Sequence, residues 1–249
     1  MSVLTAKALV FLDGEFGLDD LRCWDDLTGG TDCSASAPVM ADDGVKRGSQ
    51  HPIVICADGG LENARSAGLQ PTAVIGDFDS LGRAQLDALC QPIPNGGPPV
   101  RVVSYPVAKD KTDGQLAVEY AIGVGATEIA IFGALGGRFD HTLTNLGFLP
   151  LAHRLGARAE ILDRRHRILY APEGLTQLRA TPGQTASLVP VGEVCRGITT
   201  SGLAYALKDG ELARWSSRGN SNVVTSEDAE IHVTEGALWV VLVAPGGDS

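Results

Sequence analysis

Three apolar runs of strand length, PIVICA from Pro52, AVI from Ala73 and EIAIFGAL from Glu128, lead directly into glycines and charged residues and then into helical spacing. Runs of this kind suit strands covered on both faces. Strand, tight turn and helix in repetition demand a parallel sheet, because parallel neighbours need a long crossover and a helix supplies it. Lys7–Leu12 (KALVFL), Val100–Tyr105 (VRVVSY) and Ala159–Leu162 add further strands, for a sheet of roughly six. The expected first domain, residues 1–170, is therefore a Rossmann-like α/β unit with helices on both faces of its sheet. Beyond Asp163 the texture changes. Short β-rich runs alternate with Gly, Pro, Asn and Asp turns about every 8–12 residues, the pattern of an all-β fold. Residues 171–249 are expected to form a small β-sandwich, small enough to lean on a partner subunit for burial.

Composition narrows the function classes. At 249 residues and 44% hydrophobic the chain can bury a substantial core. Its formal charge of -10, with no basic stripe, argues against a general nucleic-acid binder or an anionic-membrane binder. A polyanionic substrate must then be met by a metal and by local positive groups. The five cysteines (Cys23, Cys33, Cys56, Cys90, Cys195) are scattered and contain no C-x-x-C pair, which fits a reducing, cytoplasmic setting better than a disulfide framework or a zinc site. The amino terminus is unlike a secretory signal, and no stretch reaches the ~20 apolar residues that span a bilayer. Residues 24–50 lose all periodicity and are rich in Gly, Ser, Asp and Ala, so they read as a loop insertion on which little chemistry depends.

Open α/β sheets bind ligands outside the carboxyl ends of their strands, and the charged residues collect at such ends. Asp58-Gly59-Gly60 follows PIVICA; the glycines allow close backbone approach to a ligand or simply a tight turn, and Asp58 suits either a ribose or metal-water contact or a helix N-terminus. Asp77 and Asp79 follow AVIG, as carboxylates for a divalent ion such as Mg²⁺ or as a helix cap. Lys109-Asp110-Lys111-Thr112-Asp113 precedes a helical stretch, with Thr112 and Gln115 at capping-box spacing. Gly136-Gly137-Arg138-Phe139-Asp140-His141 follows the third apolar run. There Arg138 can bind phosphate bidentately, Asp140 can accept from a hydroxyl or metal water, and His141 can donate to phosphate. Any one corner reads equally as a solvated turn. Their recurrence at strand ends favours phosphate and metal chemistry. Pro150 should kink or divide the helix that follows His141.

In their order and spacing these corners resemble the thiamine pyrophosphokinase (thiamine diphosphokinase) family, and the likeness extends from about residue 52 to the end through LDRRHRILYAPEG, TTSGLAYAL and GNSNVV. The resemblance implies a Mg-dependent transfer of the terminal diphosphate of ATP to the hydroxyl of thiamine, releasing AMP, in a homodimer with active sites between subunits. Carried over by position, it implies Mg²⁺ ligands at Asp77, Asp79 and Asp113 and catalytic duty for these three and Asp140. Asp58, Gly59, Lys109, Lys111, Arg138 and His141 would serve nucleotide and phosphates. Ser221 and Asn222 match the thiamine-facing segment, and Trp215 or Trp239 are candidates to stack on the aminopyrimidine. The 24–50 insertion has no counterpart in the family pattern. The competing readings are a related diphosphokinase acting on another alcohol such as a hydroxymethylpterin, an aspartyl-phosphate phosphatase with Asp77 as nucleophile, and a nucleotide-sensing module without catalysis.

Overall fold

The structure is a computed structural model and describes residues 6–21, 52–78, 99–106 and 108–245. The 24–50 insertion, Asp79, Ser80 and the expected helix after Ser80 lie outside the described residues. Two compact units divide after Asp163.

Among its described residues the first unit holds six parallel strands: β1 (Lys7–Phe11), β2 (Ile53–Ala57), β3 (Ala73–Gly76), β4 (Arg101–Ser104), β5 (Glu128–Phe132) and β6 (Arg158–Leu162), in the order β6-β5-β1-β2-β3-β4. Every residue of β2 and β3 is buried, as the unbroken apolar runs require of strands covered on both faces. One face packs Leu9, Phe11, Val54, Cys56 and Val74 with Leu61 and Ala64 of helix α1 (Gly60–Ser66). Helix α2 (Asp113–Gly123) packs on β1, β2 and β3, and helix α4 (Phe148–Arg154) packs on β6 and α2. Their buried faces, Leu116, Ala117 and Ala121 on α2 and Phe148, Leu149 and Ala152 on α4, stand outside the first cluster. Between them in sequence lies α3 (Phe139–Leu146), which has no buried residue.

Two boundaries differ from expectation. The third apolar run leaves the sheet at Phe132 rather than Leu135, because Gly133 takes φ +64, a conformation open to glycine at no steric cost. The helix after His141 is divided at Gly147 and not at Pro150. Pro150 sits in the first turn of α4, where its missing N–H would have had no helical partner.

The second unit contains eight strands and no helix among its described residues. One antiparallel set runs β12 (Asn222–Val223), β9 (Thr185–Pro190), β14 (Leu238–Val243), β7 (His166–Ala171). The other runs β11 (Gly210–Ala213), β10 (Val194–Ser201), β13 (Glu230–Val233), β8 (Gly174–Gln177). Because β7 pairs along its whole length with β14, the division falls ahead of the expected boundary near residue 170. Leu238, Val240 and Leu242 alternate inwards on β14 and meet Ile198, Leu212, Ile231 and Val233 of the facing sheet in one core, which makes this unit a β-sandwich. Trp239 points to the opposite side of β14, only partly buried, with the Arg214 guanidinium 4.9 Å from its ring centre. Trp215 is exposed.

Candidate active site

The order of the parallel strands reverses at β1, which lies between β2 and β5. Such a switch point opens a crevice at the carboxyl ends of the strands. A cavity of about 580 Å³ occupies that position in the first unit. Its walls are the residues that follow β1, β2 and β5 and the starts of α2 and α3.

The loops after β1 and β5 form the floor and are zipped together. Gly14 N donates to Gly133 O at 2.8 Å and Glu15 N to Leu135 O at 3.1 Å. A Cβ on Gly14 would collide with the carbonyl oxygens of Gly133 and Leu135, so only glycine permits this approach. Two asparagine amides hold the loops from the flanking helices. Asn63 of α1 donates to Leu12 O at 2.7 Å and Gly14 O at 3.1 Å, and Asn145 of α3 donates to Ala134 O at 2.8 Å.

Carboxylates line up along successive strand ends: Asp13 after β1, Asp58 after β2 and Asp77 after β3, with Asp113 opening α2. Asp13, Asp58 and Asp113 border the cavity. At the β2 corner the positive φ belongs to Asp58 (+37) rather than to the glycines. Gly59 and Gly60 are needed for another reason: a Cβ on Gly59 would strike the Asp13 carboxylate, and one on Gly60 the Phe11 carbonyl oxygen. Lys109 joins two of the acids, its Nζ 2.6 Å from Asp113 Oδ1 and 3.4 Å from Asp77 Oδ2. Partial desolvation acts to lower the Lys109 pKa, but the hydrogen bonds and charges of Asp113 and Asp77 outweigh it and raise the value. Thr112 caps α2 by accepting from Gln115 N at 3.2 Å, while the Gln115 side chain turns to Glu119, so only half of the capping box forms. Lys111 also reaches Glu119, at 2.7 Å, and is not part of the cavity wall.

Arg138 and His141 also line the cavity. Arg138 grips Asp140 through two bonds, Nε to Oδ1 at 3.1 Å and Nη2 to Oδ2 at 2.6 Å. Those bonds hold the Asp140 carboxyl below its ordinary range and raise the guanidinium. Gly136 and Gly137, both at positive φ, precede them; the Glu15 side chain packs against Gly136, while the space beside Gly137 is open, which suits close approach of a phosphate there.

Two all-oxygen ligands that reach one ammonium can also converge on one hard divalent cation, and carboxylates suit Mg²⁺. The donor set therefore fits such an ion. Among the described residues no cluster of three or more His, Cys, Asp or Glu side chains forms a metal site, and Asp79, the third carboxylate of the expected set, is not among them.

Ser221 and Asn222 lie in the second unit. Ser221 takes φ +57 and its N–H donates to Ser187 Oγ at 3.1 Å. Asn222 is buried, and its amide is committed to backbone: Oδ1 accepts from Tyr205 N and Val223 N, both at 2.9 Å, and Nδ2 donates to Tyr205 O at 2.8 Å. It thereby fixes Tyr205, whose side chain is 71% exposed. Asp13, Asn63, Asn145 and Tyr205 are not among the residues expected from the sequence. Only Asp13 carried a signal, as the Asp-Gly that ends the apolar run KALVFL, in the same form as Asp58-Gly59.

Residues 45–160 match the family described as thiamin pyrophosphokinase, catalytic domain, and residues 166–238 match thiamin pyrophosphokinase, vitamin B1 binding domain. The thiamine pyrophosphokinase of Bacillus subtilis is 26% identical over 193 residues, which are 77% of this chain and 87% of that protein. Thiamine pyrophosphokinase 1 of Arabidopsis thaliana is 26% identical over 191 residues, 72% of this chain and 67% of the relative. Among solved structures, the Bacillus subtilis enzyme superposes with a TM-score of 0.72 at 22% identity, covering 96% of this chain and 99% of its own. The thiamin pyrophosphokinase of Candida albicans superposes with a TM-score of 0.68 at 13% identity, covering 96% and 89%. With both family descriptions matched in order and the same α/β and β-sandwich units present, this chain belongs to the thiamine pyrophosphokinase family.

Proposed function

We propose that the protein transfers the diphosphate of ATP to the hydroxyl of thiamine, with Mg²⁺, giving thiamine diphosphate and AMP. The observation that carries this reading is that one cavity is lined both by carboxylates, Asp13, Asp58 and Asp113, and by phosphate donors, Arg138 and His141. The match of residues 166–238 to a vitamin B1 binding domain supports thiamine over a pterin alcohol as acceptor.

Mg²⁺ held by Asp77 and Asp113, with Asp79 as third ligand, would neutralise the charge that develops on the transferring diphosphate. Arg138 and His141 bind phosphate oxygens, adding positive groups to the metal in positioning the polyphosphate for in-line transfer. Asp140 orients the guanidinium of Arg138. The bidentate pairing with Arg138 holds the Asp140 carboxyl below its ordinary range. Gly136 and Gly137 let the backbone approach the phosphates. Asp58 faces the nucleotide. Lys109 adds charge at the metal side, and the engagement of Lys111 by Glu119 makes it secondary. Ser221 and the Tyr205 backbone held by Asn222 are the proposed thiamine contacts of the second unit. The interaction of Asp77 with Lys109 suits a ligand better than the nucleophile of a phosphatase.

A homodimer is part of the proposal, and the uncovered apolar side of α3, with Phe139 73% and Leu143 51% exposed, supports it. So is a cytoplasmic location, in keeping with the free, buried thiols of Cys56 and Cys195. No helix of the described residues is long and apolar enough to cross a membrane.

The test is an acceptor screen. Purified protein with ATP and Mg²⁺ is offered thiamine, a hydroxymethylpterin or no alcohol, and products are separated by chromatography. Thiamine diphosphate and AMP should appear only with thiamine. Turnover of the pterin alone would select the related diphosphokinase, and nucleotide binding without AMP from any alcohol would select the sensing module.

A further inference from the structure

Lys109 stands in an unusual place for a phosphate-binding lysine. Its ammonium lies between the two carboxylates that a divalent cation would use, 2.6 Å from one and 3.4 Å from the other, and only 14% of its side chain is exposed. The two acids are held by structure. Asp113 is in the first turn of α2 behind the Thr112 cap. Asp77 sits between the end of β3 and the buried ring of Phe78, itself at φ +55. Lysine, by contrast, carries its charge on a flexible four-carbon stem. Of the three groups, the ammonium is the one free to leave.

A divalent ion and this ammonium require the same oxygens. We propose that Lys109 is a tethered cation that occupies the Asp77–Asp113 pair until a divalent cation displaces it, and that the released ammonium moves to the phosphates arriving with that cation. Lys109 thereby acts as a positioning residue for the metal. It keeps two like charges paired, so the acids need no rearrangement when the ion enters. It also makes bare metal a poor ligand, because the ion must expel a charge from two carboxylates and brings no anion to take it up. The metal–nucleotide complex brings that partner, and the two bind together.

The inference rests on the metal site proposed above, and one measurement separates the two. Mn²⁺ serves as the probe, and its binding without nucleotide is followed by loss of the free-ion electron paramagnetic resonance signal. Lys109→Met should bind Mn²⁺ about tenfold or more tighter than wild type, since the competing charge is gone. Lys109→Arg, which keeps a tethered cation, should stay near wild type. With a non-hydrolysable ATP analogue present, the order should reverse, Lys109→Met binding the Mn²⁺–nucleotide complex more weakly than wild type. Unchanged or weaker Mn²⁺ binding by Lys109→Met overturns the proposal while leaving the metal site standing. Absence of Mn²⁺ binding in wild type and variant alike, with or without nucleotide, removes the metal site itself and the proposal with it. Lys109→Gln gives the same readout if the methionine variant does not fold.

Discussion

Asn63 performs a task that no neighbour in sequence can take over. Its one amide nitrogen donates to both Leu12 O and Gly14 O, and so fixes the turn that carries Asp13 into the cavity. Asn63→Ala leaves those carbonyls without this donor and should lower stability by about 1–2 kcal/mol. Asn63→Asp replaces the donor by an acceptor facing two carbonyl oxygens and should cost more. Urea midpoints of the two variants check the order. A loosened floor should also raise the KM for ATP more than it lowers kcat. Residues of this kind are not legible in a sequence. Asn63 and its partners are separated by 51 and 49 positions, and an asparagine in the middle of LENARSAGL carries no mark of the loop it will meet. The acids were legible because their chemistry shows at a strand end regardless of partner: Asp58, Asp77 and Asp113 all stand where the apolar runs and helix starts put them. The role of Asn222 was not, since a Ser-Asn pair in a loop looks available to a ligand until the Tyr205 backbone is seen to occupy its amide.

The strands of the α/β unit could be read from their apolar runs, since a strand covered on both faces has few other compositions. Their order could not. Nothing in KALVFL distinguishes a central strand from an edge, yet its place between β2 and β5 creates the crevice and makes Asp13 part of it. The approach of the start of α1 to the end of β1 rests on a glycine that admits no side chain. A Cβ on Gly60 would meet the backbone carbonyl of Phe11, which cannot turn aside as a side chain would. Gly60→Ala should therefore destabilise by about 1–3 kcal/mol. Gly123→Ala, at the end of α2 with nothing within 4 Å of the added carbon, should be neutral or stabilise by up to about 1 kcal/mol. Thermal melts of the pair test whether the close approach, and not the loss of a glycine, carries the cost. The sequence-based strand 128–135 was too long for a related reason: EIAIFGAL is apolar throughout, and only the positive φ of Gly133 turns its last residues out of the sheet and into the cavity floor.

At the scale of the whole molecule, α3 is a helix that leaves an apolar stripe exposed. It carries Asp140 and His141 and follows Arg138, and it buries none of its own residues. Phe139 and Leu143, four positions apart and exposed, form an apolar stripe beside the phosphate-facing groups, as expected of a surface that another subunit covers. Leu143→Glu should convert a dimer to monomer in sedimentation velocity and lower turnover at least about tenfold, because subunit contacts would support the phosphate wall. A wild-type monomer with full activity would refute this. The order of the strand-end corners and the β-rich tail was enough to point to the family. The 24–50 stretch lies outside the described residues, and the family match, which begins at residue 45, takes in its last six positions rather than leaving the whole stretch as an insertion. The central claim is transfer of a diphosphate in one step. Phosphorus-31 NMR of purified protein with ATP, Mg²⁺ and thiamine tests it most directly: the ATP resonances should give way to AMP and thiamine diphosphate in equal amounts, whereas ADP with thiamine monophosphate, or ADP with free phosphate, would contradict it.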